Sequence, residues 1–150
     1  MRTAAPLLTI VFLILAAAPA CAPNDLAEDQ VTRDDAEGPL VSSLQVEVED
    51  GSALLTLQVT NADVEPIEVE FTSGQMYDFV VQREGREVWR WSADQMFTQA
   101  LQTVNLDAGE TRTFQERWTP EPGTRGSFTA RGRLTSSSHP LEQVTEFELR

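Results

Sequence analysis

Beyond Pro39, apolar side chains recur at every second position. Leu44, Val46 and Val48 alternate with Gln45, Glu47 and Glu49; Leu55, Leu57 and Val59 alternate with Thr56, Gln58 and Thr60; Ile67, Val69 and Phe71 flank Glu68 and Glu70. Successive side chains of a strand point to opposite faces, so this pattern predicts half-buried strands, each with one apolar face. Turn signals separate the segments: Asp50-Gly51, Asn61–Pro66, Glu84-Gly85, Asp107-Ala108-Gly109, Pro120–Gly126 and Ser136–Pro140. Nine candidate strands lie between Leu44 and Leu149, spaced about every 10–12 residues, the rhythm of an all-β antiparallel sandwich. No helical period is long enough for an α/β fold.

Phe71–Leu101 (FTSGQMYDFVVQREGREVWRWSADQMFTQAL) concentrates the aromatic residues, with two of the three tryptophans and the sole tyrosine. Tyr77, Phe79 and Val81 fall on one strand face, and Asp78, Val80 and Gln82 on the other. After the Glu84-Gly85 turn, Trp89 and Trp91 share a face opposite Val88 and Arg90. Period two therefore sends Tyr77, Phe79, Trp89 and Trp91 inward, where each ring buries roughly 150–250 Å². Ser92-Ala93-Asp94 reads as an N-cap. The residues after it, among them Met96, Phe97 and Leu101, read as about two helical turns or an irregular crossover between sheets. The stretch offers Ser73, Gln75, Asp78, Arg90 and Gln99 outward; if buried, these side chains would fasten the crossover by bonds to backbone.

Two later strands carry anomalies. Arg112 and Glu116 share a face with Phe114 and Trp118, which predicts a bulge or an edge position. Gly132 interrupts an apolar face and leaves room for a large neighbour, expected to be a tryptophan. Arg131 and Arg133 share the opposite face of the same strand.

The first residues have a different grammar. Arg2, the apolar run Leu7–Leu15 and the small residues Ala16–Ala20 have the order of a secretory signal peptide, so residues 1–20 are set apart from the fold. The run is shorter than the ~20 apolar residues of a spanning helix. The single cysteine, Cys21, follows directly. Ala18-Pro19-Ala20 is itself an A-x-A cleavage site, which would leave an ordinary thiol. The stretch also resembles a bacterial lipobox, which implies lipid attachment at Cys21. One cysteine in an exported chain forms no internal disulfide, which favours the lipidated reading. Residues 21–38 then form an acidic, disordered tether, with six acids and one arginine in Ala22–Gly38 and too little apolar surface to offset its ordering entropy. The sandwich domain is residues 39–150, and the location is exported, on a bacterial envelope membrane, with a secreted or periplasmic soluble form as the alternative.

Charge and residue counts narrow the chemistry. Twenty-four acids against eleven basic residues, all arginine, give a net charge of −13. That disfavours a nucleic-acid partner, which needs a clustered positive field. His139, the only histidine, sits beside a proline in a serine-rich loop, a poor setting for an oriented catalytic base. Histidine and cysteine counts exclude the usual zinc sites, no calcium-spaced acidic loop occurs, and no glycine-rich phosphate loop follows a strand. The reading is a non-enzyme with no cofactor and no metal.

A set of short blocks goes further: Ser73-Gly74-Gln75, Tyr77-Asp78-Phe79, Gly85, Val88-Trp89-Arg90-Trp91-Ser92, Phe97-x-Gln99, then Leu106, Gly109 and Glu110 and an aromatic strand ending at Trp118. In this set the chain resembles the BsuPI-type intracellular proteinase inhibitor family from about Leu44 to Leu134. The resemblance implies an immunoglobulin-like sandwich, to which the residue reading adds one short helical crossover loop, and a protein partner, in particular a serine proteinase. Arg86 at the hairpin turn and Arg125 in Pro120–Gly126 are the basic side chains that a trypsin-like pocket would accept. The competing expectation is an immunoglobulin-like adhesion or assembly module of the envelope without inhibitory activity.

Overall fold

The computed structural model describes residues 38–150. The signal-like segment, Cys21 and the acidic stretch up to residue 37 lie outside the described residues. Nine strands follow in chain order: β1 (Leu40–Glu49), β2 (Ser52–Asn61), β3 (Ile67–Phe71), β4 (Tyr77–Arg83), β5 (Arg86–Arg90), β6 (Gln102–Leu106), β7 (Thr111–Trp118), β8 (Gly126–Leu134) and β9 (Leu141–Leu149). A 3₁₀ turn, Trp91–Asp94, follows β5. All pairings are antiparallel. One sheet runs β1-β2-β7, the other β5-β4-β8-β9, and β3 and β6 form a two-stranded pair. The fold is the expected immunoglobulin-like β-sandwich.

Two hairpins close on the expected dipeptides. Asp50 and Gly51 have φ of 49° and 75°, and Glu84 and Gly85 have 51° and 75°. Two successive left-handed residues match the right-handed twist of the flanking strands, and glycine at the second position removes half of the steric cost. The core follows from the alternation. Leu55, Leu57 and Val59 of β2 are fully buried and belong to one cluster with Phe79 and Val81 of β4 and Phe128 and Ala130 of β8. At about 1.5–3 kcal/mol for each large side chain, this cluster supports the domain without a disulfide. Among the described residues the buried apolar side chains lie between Leu40 and Leu149, so this segment holds its own core.

Register resolves three irregularities of the sequence pattern. The β4–β5 ladder shifts at Val81/Gln82: Val81 faces Trp89 while Gln82 faces Glu87. Val88 is the extra residue, and β5 ends at Arg90, so Trp91 leaves the ladder instead of sharing a strand face with Trp89. β7 pairs with β2 without interruption from Ala53↔Trp118 to Thr60↔Thr111. Its inward polar residues therefore reflect an edge position and not a bulge. Gly132 does make room for a large neighbour, but that neighbour is not a tryptophan. A Cβ there would lie 3.0 Å from Leu44 Cδ1 and 3.1 Å from Phe79 Cε1.

The connections divide between two ends. Arg83 faces Arg86 across the β4–β5 hairpin, Arg83 Nη2 lies 3.6 Å from the Cβ position of Gly126, and Ser52 Oγ is 3.3 Å from Thr119 Oγ1. The two hairpin tips and the β7–β8 loop thus share one end. The loops 72–76 and 135–140 and the start of the β5–β6 crossover lie at the other, where Tyr77 faces Leu134.

Candidate functional site

The motif blocks converge on one object, the β5–β6 crossover at residues 91–101, and the reason is visible in its fastenings. Asp78 leaves β4 on the outer sheet face, yet its side chain is 0% exposed. Its Oδ1 accepts the Ser92 backbone N–H at 3.3 Å. Its Oδ2 accepts Arg90 Nη1 at 2.6 Å and Arg133 Nη2 at 3.2 Å. Period two places the carboxylate correctly on the outer face; the arginines of β5 and β8 then fold over it. Glu87 binds Arg90 through Nε at 3.1 Å and Nη2 at 2.6 Å. These bonds to Glu87, followed by those to Asp78, raise the Arg90 pKa against the opposing effect of burial.

A second fastening comes from the β3–β4 loop. The Gly74 N–H donates to Thr98 O at 2.9 Å. A Cβ on Gly74 would approach Thr98 Oγ1 to 2.7 Å, so a larger residue displaces Thr98. Ser73 Oγ accepts the Gln75 N–H at 3.2 Å, and Gln75 Nε2 donates to Tyr77 O at 3.3 Å. Thr135 Oγ1 in turn donates to Gln75 O at 2.6 Å. The serine-rich loop that contains His139 has a structural task here: Ser136 Oγ and the Ser137 N–H both donate to Glu70 O, each at 2.9 Å.

Aromatic packing supplies the third fastening. Phe114, Tyr77 and Trp91 stack in sequence, with centroids 4.6 Å and 4.3 Å apart, and Phe97 rests on Trp91 at 5.6 Å. Phe79 is fully buried, whereas Tyr77, Trp89, Trp91 and Phe97 are half-buried. The Tyr77 hydroxyl crosses between the sheets and donates to Glu116 Oε1 at 2.6 Å, which accounts for the inward carboxylate of β7. Burial, then the hydrogen bond and charge of Glu116, push the Tyr77 pKa far up.

Between these fastenings the crossover takes the second of its two expected forms, an irregular path opened by one short helical turn. Only Trp91–Asp94 is helical, a 3₁₀ turn without a side-chain cap. Asp78 engages the Ser92 N–H, and at Gln95 the chain turns extended, with φ −105° and ψ 150°. Gln95–Gln99 then join neither helix, turn nor ladder. Met96 is 97% exposed and Leu101 83%.

Other candidates fall elsewhere. Gly85 and Gly109 take left-handed turns, and Gln99 Nε2 reaches back to Phe97 O at 3.4 Å. Arg86 and Arg125 are both exposed at the end opposite the crossover. Arg90, Arg131 and Arg133 do gather on one face, around an open cleft of about 210 Å³ shared with Asp78, Gln82 and Glu142. Each is held by a carboxylate, Arg131 by Glu142 at 2.7 Å, so the cleft is an ion-pair network and not a free cationic surface. Among the described residues no group of three acidic, histidine or cysteine side chains is placed to hold a metal, and no helix is long and apolar enough to cross a membrane.

Asn61 is the residue that sequence reasoning missed. It was expected only to open a turn, yet it is fully buried. Its Nδ2 faces the carbonyls of Glu65, Leu106 and Asp107 at 2.8, 3.0 and 3.2 Å. Its backbone pairs with Gly109 and Glu110, so one side chain joins the β2–β3 and β6–β7 turns.

A family model described as BsuPI, intracellular proteinase inhibitor, matches residues 40–139. The chain belongs to the BsuPI family. That family is one of inhibitors and not catalysts, and membership suggests a proteinase-inhibitor-like function with a proteinase as the partner class. The match takes in the crossover and every strand that fastens it. No curated protein matches the sequence. Among solved structures, a β-glucosidase from Erythrobacter marinus aligns at 15% identity and a TM-score of 0.42, over 74% of this chain and 15% of that one. A Kluyveromyces marxianus β-glucosidase in complex with glucose aligns at 14% identity and 0.42, over 74% and 14%. A Bacteroides uniformis β-glucuronidase 2 aligns at 18% and 0.41, over 75% and 13%. The chain thus spans a small fraction of those enzymes, and at these scores nothing about its activity follows from them.

Proposed function

We propose that this chain is a non-catalytic, envelope-anchored protein-binding domain that inhibits a serine proteinase. The observation that carries the reading is the crossover: an exposed, unpaired segment held at both ends by Asp78, Gly74 and the Trp91–Phe97 contact. An inhibitory loop gains affinity by being ordered before it binds. Small inhibitors commonly obtain that order from disulfides, and here buried hydrogen bonds and stacked rings take their place. The partner is a protein; the acidity of the chain disfavours nucleic acid, and neither cofactor nor metal enters the reading.

Anchoring is the second half of the proposal. A signal peptide over residues 1–20 exports the chain, Cys21 receives the lipid, and residues 21–38 form an acidic tether.

Two experiments test the two halves separately. Purified residues 39–150 should slow at least one of a panel of serine proteinases at micromolar concentration, and a uniformly negative panel removes the inhibitor reading. Cys21→Ala in the full chain should move the protein from membrane to soluble fractions, and unchanged fractionation removes the anchor. One observation favours the assembly-module alternative: among the described residues no carboxylate lies within ion-pair distance of Arg83, Arg86 or Arg125, which leaves cations free on one end of an acidic domain. A stoichiometric, non-proteinase partner lost on Arg86→Ala and Arg125→Ala would establish that reading.

A further inference from the structure

We propose that Gln95–Gln99 is the segment inserted into the proteinase cleft, with Met96 filling an apolar primary-specificity pocket. The inference rests on the inhibitor reading above and adds the residue and the class of pocket. Inhibitors that bind like substrates lie extended in the cleft and pair their backbone with it as an added strand. Gln95 is extended, and Gln95–Gln99 belong to no helix, turn or ladder. Among the described residues no backbone–backbone hydrogen bond uses Met96, so its N–H and C=O are available to a partner strand. The neighbouring side chains alternate as an extended segment does, Met96 toward solvent and Phe97 onto Trp91.

The flanks are fixed. On one side the Gln95 N–H donates to Ser92 O at 3.2 Å, and Ser92 is held by Asp78. On the other, Thr98 O accepts the Gly74 N–H at 2.9 Å. A single exposed hydrophobe is ordinary on a protein surface; one at the apex of a doubly fastened, unpaired segment is not explained by packing. An unbranched thioether adapts to irregular apolar pockets, which matches a chymotrypsin-like or subtilisin-like site and mismatches the acidic pocket of trypsin. The arginine-bearing alternatives lack this geometry. Arg86 is committed to the β4–β5 ladder opposite Arg83. Arg125 stands between Gly123 and Gly126, whose φ values of 85° and 113° curl the chain. Leu101 is exposed but abuts Gln102, already paired with Phe71 in the β3–β6 ladder.

The test measures inhibition constants of residues 39–150 and its Met96→Leu, Met96→Asp and Met96→Arg variants against chymotrypsin, a subtilisin and trypsin. Because Met96 is exposed, all variants should melt with the parent, which removes misfolding as an explanation. Met96→Leu should retain inhibition of the apolar-pocket enzymes. Met96→Asp should weaken it by about 30-fold or more, as loss of a hot-spot side chain does, and Met96→Arg should shift preference toward trypsin. If the parent inhibits but Met96→Asp matches it, this inference is overturned while the inhibitor reading stands. If the parent inhibits none of the three enzymes nor any of the wider panel, both fall together.

Discussion

Asp78→Ala is the substitution through which the crossover should be released. The carboxylate is shielded from water and takes three donors: Arg90 at 2.6 Å, Arg133 at 3.2 Å and the Ser92 N–H at 3.3 Å. Breaking a fully buried ion pair costs about 3–5 kcal/mol, and an exposed pair contributes about 0–1. Here the buried partner is the one removed, and the arginine side chains left behind are 30% and 46% exposed. They can regain hydration, so the expected loss lies between those limits, at about 2–3 kcal/mol. The reverse change, Arg90→Ala, removes one of the two arginines that cover the carboxylate, which keeps Arg133 and Ser92 and gains access to the open cleft; its cost should be of similar size. Urea unfolding of both single variants and the double variant should give a coupling of about 1–3 kcal/mol, and Asp78→Ala should lower the melting temperature by roughly 10 °C. Limited proteolysis of Asp78→Ala should cut first within residues 91–101. A loss under about 0.5 kcal/mol for Asp78→Ala, the range of an ordinary surface change, would refute the claim that this carboxylate fastens the crossover.

Three further outcomes follow from named contacts. Tyr77 is the sole tyrosine, so the near-ultraviolet phenolate absorbance reports it alone. Its folded pKa is raised above the unfolded value of 10.0 by burial and Glu116. The proton is therefore retained in the folded state and lost in the unfolded one above that pH; stability should be unaffected by this group below about pH 10 and fall above it. Tyr77→Phe should remove this dependence, and folded protein that ionises near pH 10 would contradict it. Asn61→Ala deletes an amide shared by three carbonyls and should cost about 2–4 kcal/mol by urea unfolding, against almost nothing if those turns hold themselves. Gly132→Val drives a branched side chain against Leu44 and Phe79 and should destabilise by about 1–3 kcal/mol; an unchanged melting temperature would mean the β1–β8 contact is loose.

The legible part of this fold was the part governed by a single chain's periodicity. Alternation located the strands, the dipeptides located both hairpins, and the inward face of Phe79 and Val81 holds in the structure. What periodicity assigns is a face, not what covers it. Asp78 was placed outward correctly, yet it is buried because Arg90 and Arg133 arrive from strands 12 and 55 residues away in sequence. Glu116 looked like a defect in β7 because its partner, the Tyr77 hydroxyl, belongs to the opposite sheet. Asn61 gave no signal at all: a turn-opening asparagine and a buried one read alike, and only the meeting of two distant turns separates them. The crossover leaves helix and an irregular path both open in the sequence, because Met96, Phe97 and Leu101 carry a spacing compatible with helix. The Asp78 bond to Ser92 and the Gly74 bond to Thr98 commit the backbone to the irregular path, a tertiary override of a weak local preference.

Those same fastenings reconcile two opposed demands on the aromatic stretch. A surface segment that binds a partner must be exposed, and an exposed segment that is merely loose surrenders affinity to ordering entropy. In this domain two rings of the motif, Tyr77 and Trp91, are neither a buried core nor a contact surface. Both are half-buried, Tyr77 against Phe79 and Phe114 and Trp91 between Tyr77 and Phe97. In that position their burial energy is spent on holding the crossover at residues 91 and 97 while leaving Met96 outside. The motif can therefore be structural in every residue it names and still serve the proposed binding, because what it builds is the conformation of a segment whose most exposed residue, Met96, it does not name.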